Sequence, residues 1–148
     1  MSPTGTDLRQ AADAFPVRMP DWSEDGTRLV VVEYPQPAPS GELAIIRLSD
    51  GTSHPITSNA NVDQYPRWSP AGGMIVWDHW ARSPSGANRP EVWLADTAGV
   101  GAHRLIESET KPAWHPGGRA VVFSMQASRG ICLFVINTDG TGLRQITH

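Results

Sequence analysis

Pro66-Arg67-Trp68-Ser69-Pro70-Ala71-Gly72 decides how this chain is read, because the stretch occurs three times. Its counterparts are Pro20-Asp21-Trp22-Ser23-Glu24-Asp25-Gly26 and Pro112-Ala113-Trp114-His115-Pro116-Gly117-Gly118. Successive copies stand 46 residues apart (66 − 20 and 112 − 66). A period of roughly 40 to 50 residues belongs to propeller blades or to helical arrays. The residues downstream of each copy separate the two.

An apolar, β-branched run comes next: Leu29-Val30-Val31-Val32, Met74-Ile75-Val76-Trp77 and Ala120-Val121-Val122-Phe123. After a polar, glycine-containing loop there is a second apolar run: Leu43-Ala44-Ile45-Ile46, Val92-Trp93-Leu94-Ala95 and Ile131 to Ile136. A turn succeeds it at Ser49-Asp50-Gly51, Thr97-Ala98-Gly99 and Asn137-Thr138-Asp139-Gly140, and then a short last strand near Ile56, Leu105 and Ile146. Short apolar runs punctuated by Gly, Asp, Asn and Pro are strands. No stretch carries a sustained helical period with caps. Four strands per repeat predict a four-stranded antiparallel blade. The expected blades are 17–58, 63–107 and 110–148, after an N-terminal tail over 1–16.

The repeated residues have physical roles. Trp22, Trp68 and Trp114 supply bulk between sheets packed face to face; truncating such a residue in a core costs about 3–5 kcal/mol. Gly26, Gly72 and Gly118 close the reversal after each Trp, where a positive φ is needed. Pro70 and Pro116 fit early turn positions through their fixed φ.

The bulk properties exclude several function classes. Among 148 residues the formal net charge is −3 and 39% are hydrophobic. A folded chain without a basic nucleic-acid footprint is expected. Cys132 stands alone, in an apolar run, and is read as a small buried hydrophobe; no cysteine zinc site or internal disulfide can be built from it. His54, His79, His103, His115 and His148 show no metal-ligand spacing, so no metal or cofactor is expected. No Gly-x-Ser-x-Gly elbow occurs. No signal peptide is visible at Met1 to Asp7, and no apolar run has the roughly 20 residues that span a bilayer. The expectation is a soluble chain, cytoplasmic, or periplasmic if a signal was removed.

The Pro-x-Trp-Ser pattern, the apolar strand after it, and Leu133-Phe134-Val135-Ile136-Asn137-Thr138-Asp139-Gly140 running into Arg144-Gln145-Ile146-Thr147 resemble the repeat of TolB-like β-propellers, a WD-repeat-like group. The chain departs from that pattern at His115, at Gly117-Gly118 and at Ala71-Gly72-Gly73, all turn positions. The resemblance implies an all-β fold of three blades, half of a six-bladed ring. Gly5 to Gln10 also resembles Gly140 to Gln145, an extra outer-strand copy, so both ends fall at the same phase of the repeat. Three blades alone leave two apolar faces open. The expected remedy is a homodimer about a two-fold axis.

In such propellers ligands are expected at the channel mouth. The richest segment there is Asp78 to Arg89, which offers His79, Trp80, Arg82 and Arg89 for an anionic, sugar-like or peptide group. Asp63 and Gln64 precede an inner strand and are candidates to face the channel. The plainer reading of all six is loop and turn chemistry. The proline-rich Tyr34 to Gly41 is read as a stiff connector. The leading expectation is a non-catalytic scaffold or interaction module whose partner is itself, with another protein or peptide as a further partner at the channel mouth. One alternative is part of an enzyme-associated, hydrolase- or lyase-linked propeller. Another is an engineered or excised half-propeller with no activity of its own.

Overall fold

The computed structural model describes residues 16–35, 40–59, 61–82, 88–108 and 110–147. These form three four-stranded antiparallel sheets and, among the described residues, no helix. Blade 1 is β1 (Val17–Trp22), β2 (Arg28–Glu33), β3 (Glu42–Arg47) and β4 (Ser53–Pro55). Blade 2 is β5 (Val62–Trp68), β6 (Met74–Arg82), β7 (Asn88–Asp96) and β8 (His103–Glu107). Blade 3 is β9 (Thr110–Trp114), β10 (Ala120–Ala127), β11 (Gly130–Asn137) and β12 (Arg144–Gln145). Each sheet is a meander in chain order, so the Trp-bearing strand lies at one edge of its blade and the shortest strand at the other. The extra outer-strand copy expected at Gly5 to Gln10 lies outside the described residues, as do 36–39 of the proline-rich connector.

Alternation along the strands assigns two faces to each blade. In blade 2, Trp68, Ile75, Trp77 and Ala95 turn back toward blade 1 and share a core with Val30, Val32, Leu43, Ile45 and Ile56. Val76, Val92 and Leu94 turn forward and share a core with Val121, Phe123, Cys132, Phe134 and Ile136 of blade 3. Cys132 is therefore a buried apolar contact. A smaller cluster of Val31, Ala44 and Ile46, with Leu29, lies on the backward face of blade 1 and is buried.

The inner strands share an irregularity that only the coordinates reveal. Met19, Tyr65 and Lys111 have φ of 53°, 50° and 60°, and they keep the same 46-residue period. Each sits where the register of its strand against the next one shifts, so each marks a β-bulge. Each also precedes the proline of the motif, which disfavours the right-handed helical region for that residue. The turn glycines Gly26, Gly72 and Gly118 adopt φ of 66°, 72° and 65°. At Gly118 a side chain would also collide with Ala71 of blade 2, so the glycine permits the two inner-strand turns to touch.

One element differs from the expected bounds. The sequence predicts that the first apolar run of blade 2 ends at Trp77, with a loop from Asp78 to Arg89. Instead β6 continues to Arg82 and β7 begins at Asn88, in register through His79↔Glu91, Trp80↔Pro90 and Ala81↔Arg89. Polar residues extend the hairpin because their side chains find partners within the seams: His79 meets Asp63, and Asp78 accepts from the Lys111 N–H.

Candidate ligand site at the seam of the first two blades

Asp63 has no exposed surface, and its carboxylate is a hub. Oδ1 accepts from the Trp77 indole N–H at 2.7 Å and contacts His79 Nδ1 at 2.7 Å. Oδ2 accepts from the Asn59 amide at 2.9 Å. The Asp63 N–H donates to the Gly41 carbonyl of blade 1 at 3.1 Å. A buried carboxylate is tolerated when its lone pairs are occupied in this way. The His79 ring stacks obliquely on Trp93, with centroids 4.5 Å apart. Trp93 Nε1 donates to Glu91 Oε2 at 2.7 Å, and Arg104 donates to Glu91 Oε1 at 2.9 Å. A chain of partners thus runs across blade 2 from its inner strand to its outer one.

Glu42 of blade 1 borders this cluster. Burial raises its pKa, and the Thr57 hydroxyl and the Asn59 N–H work against that rise. The cluster as a whole holds one imidazole with Nδ1 directed at a carboxylate, the arrangement that fixes the tautomer and leaves the other ring nitrogen for a partner. Among the described residues no group of His, Cys, Asp or Glu is placed to hold a metal ion.

The six candidates of the sequence separate here. Asp63 and His79 are brought together and buried. Gln64 is half-buried opposite Asp78 on β6. Trp80 is half-buried, with its Nε1 enclosed and lacking a hydrogen-bond partner. Arg82 is exposed, and its backbone N–H is capped by Asn61 Oδ1 at 3.0 Å. Arg89 is exposed and pairs with Glu107 at 3.5 Å. The two guanidiniums therefore stand on the hairpin end and not in the Asp63 cluster.

Sequence reasoning missed Asn59, Trp77, Glu91 and Trp93 as members of this cluster. Trp77 and Trp93 read as core bulk, and nothing in spacing marks an indole N–H as a donor to a residue 14 positions earlier. It also missed Asp78. That side chain crosses the next seam: its Oδ1 accepts from the Lys111 N–H at 2.9 Å while Oδ2 is enclosed without a partner. Burial pushes the Asp78 carboxyl up to about 6, against the opposing pull of the Lys111 N–H and charge.

No family model and no curated protein matches the chain. Solved structures do. A putative TolB from Agrobacterium tumefaciens superposes with a TM-score of 0.74 at 18% identity, over 93% of this chain and 51% of that one. The chain folds as blades of a TolB-like β-propeller. TolB from Acinetobacter baumannii gives 0.73 at 20% identity over 90% and 33%. An oligogalacturonate lyase from Vibrio parahaemolyticus gives 0.71 at 13% identity over 90% and 39%. The chain spans about half the length of the first of these propellers and about a third of the second. Among the described residues no helix is long and apolar enough to cross a membrane.

Proposed function

We propose that this chain is a non-catalytic interaction module, a half-ring of three blades that works by packing its end blades against a second copy. The carrying observation is a contrast between equivalent positions. Trp68, inside a seam, is 5% exposed, whereas Trp22, on the backward side of blade 1, is 46% exposed. Leu43 and Val92, inside seams, are 0% exposed, whereas Leu133, their equivalent on the forward face of blade 3, is 44% exposed. Trp22 on one end blade and Leu133 on the other are thus exposed where internal equivalents are buried, and exposed apolar residues of that kind mark an association site. The candidate carboxylate and imidazole support the same reading, since the Asp63 oxygens are committed to Trp77, His79 and Asn59.

Light scattering tests the proposal. Two copies give about twice the 16.1 kDa chain mass. A folded monomer at micromolar concentration overturns it.

A second reading, a sugar- or peptide-binding propeller of the enzyme-associated kind, draws on the oriented His79 imidazole and on the likeness to the Vibrio lyase. Calorimetry with oligogalacturonate tests it. Saturable heat lost in Arg82→Ala, Arg89→Ala and His79→Ala supports it, and no heat rejects it.

A further inference from the structure

Two polar atoms in the seam between blades 2 and 3, Asp78 Oδ2 and Trp80 Nε1, are enclosed and have no hydrogen-bond partner among the described residues. They belong to one face of β6. Val76 of that strand packs in the cluster shared with blade 3, and Asp78 Oδ1 accepts from the Lys111 N–H of blade 3 at 2.9 Å. Alternation along the strand puts Trp80 on the same side. Asp78 is 1% exposed, so bulk solvent does not serve its second oxygen. An unpaired polar atom in such a place costs free energy, and native folds supply a partner for nearly all of them.

The equivalent places in the other blades hold no such pair. The pairings Trp22↔Leu29, Trp68↔Ile75 and Trp114↔Val121 align Asp78 with Val32 and Ser124, and Trp80 with Tyr34 and Gln126. Val32 is fully buried in the apolar seam between blades 1 and 2. There the Tyr65 N–H, counterpart of the Lys111 N–H, meets Met19 Sδ at 3.5 Å. An apolar residue therefore suffices at this position in one seam, and the carboxylate is particular to the other. A pair on the neighbouring strand shows how a carboxylate and an indole two residues apart meet directly: on β7, Trp93 Nε1 donates to Glu91 Oε2 at 2.7 Å. Asp78 and Trp80 keep the same order and spacing on β6, but aspartate is one methylene shorter and the bond is not made.

The group that closes this gap must accept from an indole N–H and donate to a carboxylate. A cation has no lone pair to offer the indole, an anion is repelled by Asp78, and an apolar group does neither. Water does both and is small enough for a packed seam. We propose that one internal water molecule bridges Asp78 Oδ2 and Trp80 Nε1, accepting from the indole and donating to the carboxylate. A small turn of the half-buried Trp80 ring opens the space it takes. The Lys111 N–H, the Asp78 carboxylate, the water and the Trp80 indole then form one chain of hydrogen bonds from blade 3 to the β6–β7 hairpin. The site lies within the chain's own second seam and is independent of the ring-closing reading.

Nuclear magnetic resonance on the full chain tests the site. The Trp80 indole proton, assigned by its loss in Trp80→Phe, is expected to show a rotating-frame Overhauser cross-peak to long-lived water, opposite in sign to an exchange peak. Asp78→Glu supplies the missing methylene. Its carboxylate is expected to reach the indole as Glu91 reaches Trp93, so the water cross-peak is lost and the indole proton moves downfield. A wild-type chain without the cross-peak overturns the proposal, whether the indole bonds the carboxylate directly or exchanges freely with solvent. That measurement stands alone if Asp78→Glu does not fold. A cross-peak unchanged in folded Asp78→Glu also overturns it, because the water is then held by something other than Asp78.

Discussion

The two internal seams have the same repeat geometry and are held by different chemistry. Between blades 1 and 2 the apolar cluster is threaded with polar clasps. Asp21 Oδ2 accepts from the Trp68 N–H at 2.8 Å, Arg28 lies over the Trp68 ring, and Asp63, which gathers Trp77 and His79 of its own blade and Asn59 of the connection, donates its N–H to the Gly41 carbonyl of blade 1 at 3.1 Å. Between blades 2 and 3 the centre is aliphatic and aromatic, with Phe123 and Phe134 stacked at 6.2 Å. Its described polar crossings are the Lys111 N–H to Asp78, the Ser108 hydroxyl to Ser124 O, the Trp114 indole to Arg67 O, and the Lys111 ammonium over the Tyr65 ring. The repeat fixes where blades meet, and the side chains at the β6–β7 end decide how.

The largest expected effect separates the seams by what fills them. Phe123→Ala removes a fully buried ring and leaves a cavity, so it should cost about 3–5 kcal/mol in denaturant unfolding. Asp63→Ala removes no comparable volume, yet it strands an indole, an imidazole and an amide in a dry site. The expected loss is about 3 kcal/mol, in the range for breaking a buried charged contact. Asp63→Asn should recover part of it by keeping one acceptor. If Asp63→Ala costs under about 0.5 kcal/mol, the polar hub is dispensable and the two seams are alike after all.

Much of the fold is legible in the sequence, for a physical reason. Blade number, strand order and the turn glycines depend on local rules: alternation, Gly at positive φ, and Pro at fixed φ. These leave marks at constant spacing. The seam chemistry does not. Asp63 and His79 stand out as polar residues near an inner strand, but their contact depends on β6 running on to Arg82, which the polar run Asp78-His79 conceals. Asn59 and Trp93 enter only through three-dimensional packing. The bulges at Met19, Tyr65 and Lys111 are invisible in the sequence because Met, Tyr and Lys do not advertise a left-handed backbone. The contrast of Trp22 with Trp68 is equally hidden, since the same motif stands in both an exposed and a buried environment.

Asp78 gives the comparison a pH axis. Its pKa is raised from 3.8 to about 6 in the fold, with burial the main cause. Between those values the folded chain keeps a proton that the unfolded chain has released. Stability from this group is therefore complete below about pH 4 and declines as pH rises through 6. The shift corresponds to roughly 2–3 kcal/mol between pH 4 and 7. Asp78→Asn should flatten that slope while keeping an acceptor for the Lys111 N–H. Denaturant melts of both proteins at pH 4, 5, 6 and 7 read it directly, and identical slopes would show that the second seam carries no titrating clasp.

The smallest effect probes the same seam one step away, where Ser124 pairs with Thr110, the neighbour of Lys111. The Ser108 hydroxyl, on a residue 5% exposed, donates to Ser124 O at 2.7 Å and links the last strand of blade 2 to blade 3. Ser108→Ala deletes one neutral hydrogen bond and keeps the volume nearly constant, so the expected loss is about 1 kcal/mol. Its value lies in coupling. Ser108 and Asp78 act on the same seam, and Asp63 acts on the other. A double-mutant cycle should give a non-additive term for Ser108→Ala with Asp78→Asn, and additivity within about 0.5 kcal/mol for Ser108→Ala with Asp63→Ala. Additivity in both pairs would mean that each clasp works alone. Coupling in both would mean that blade 2 transmits strain from one seam to the other, so that the half-ring yields as a single body.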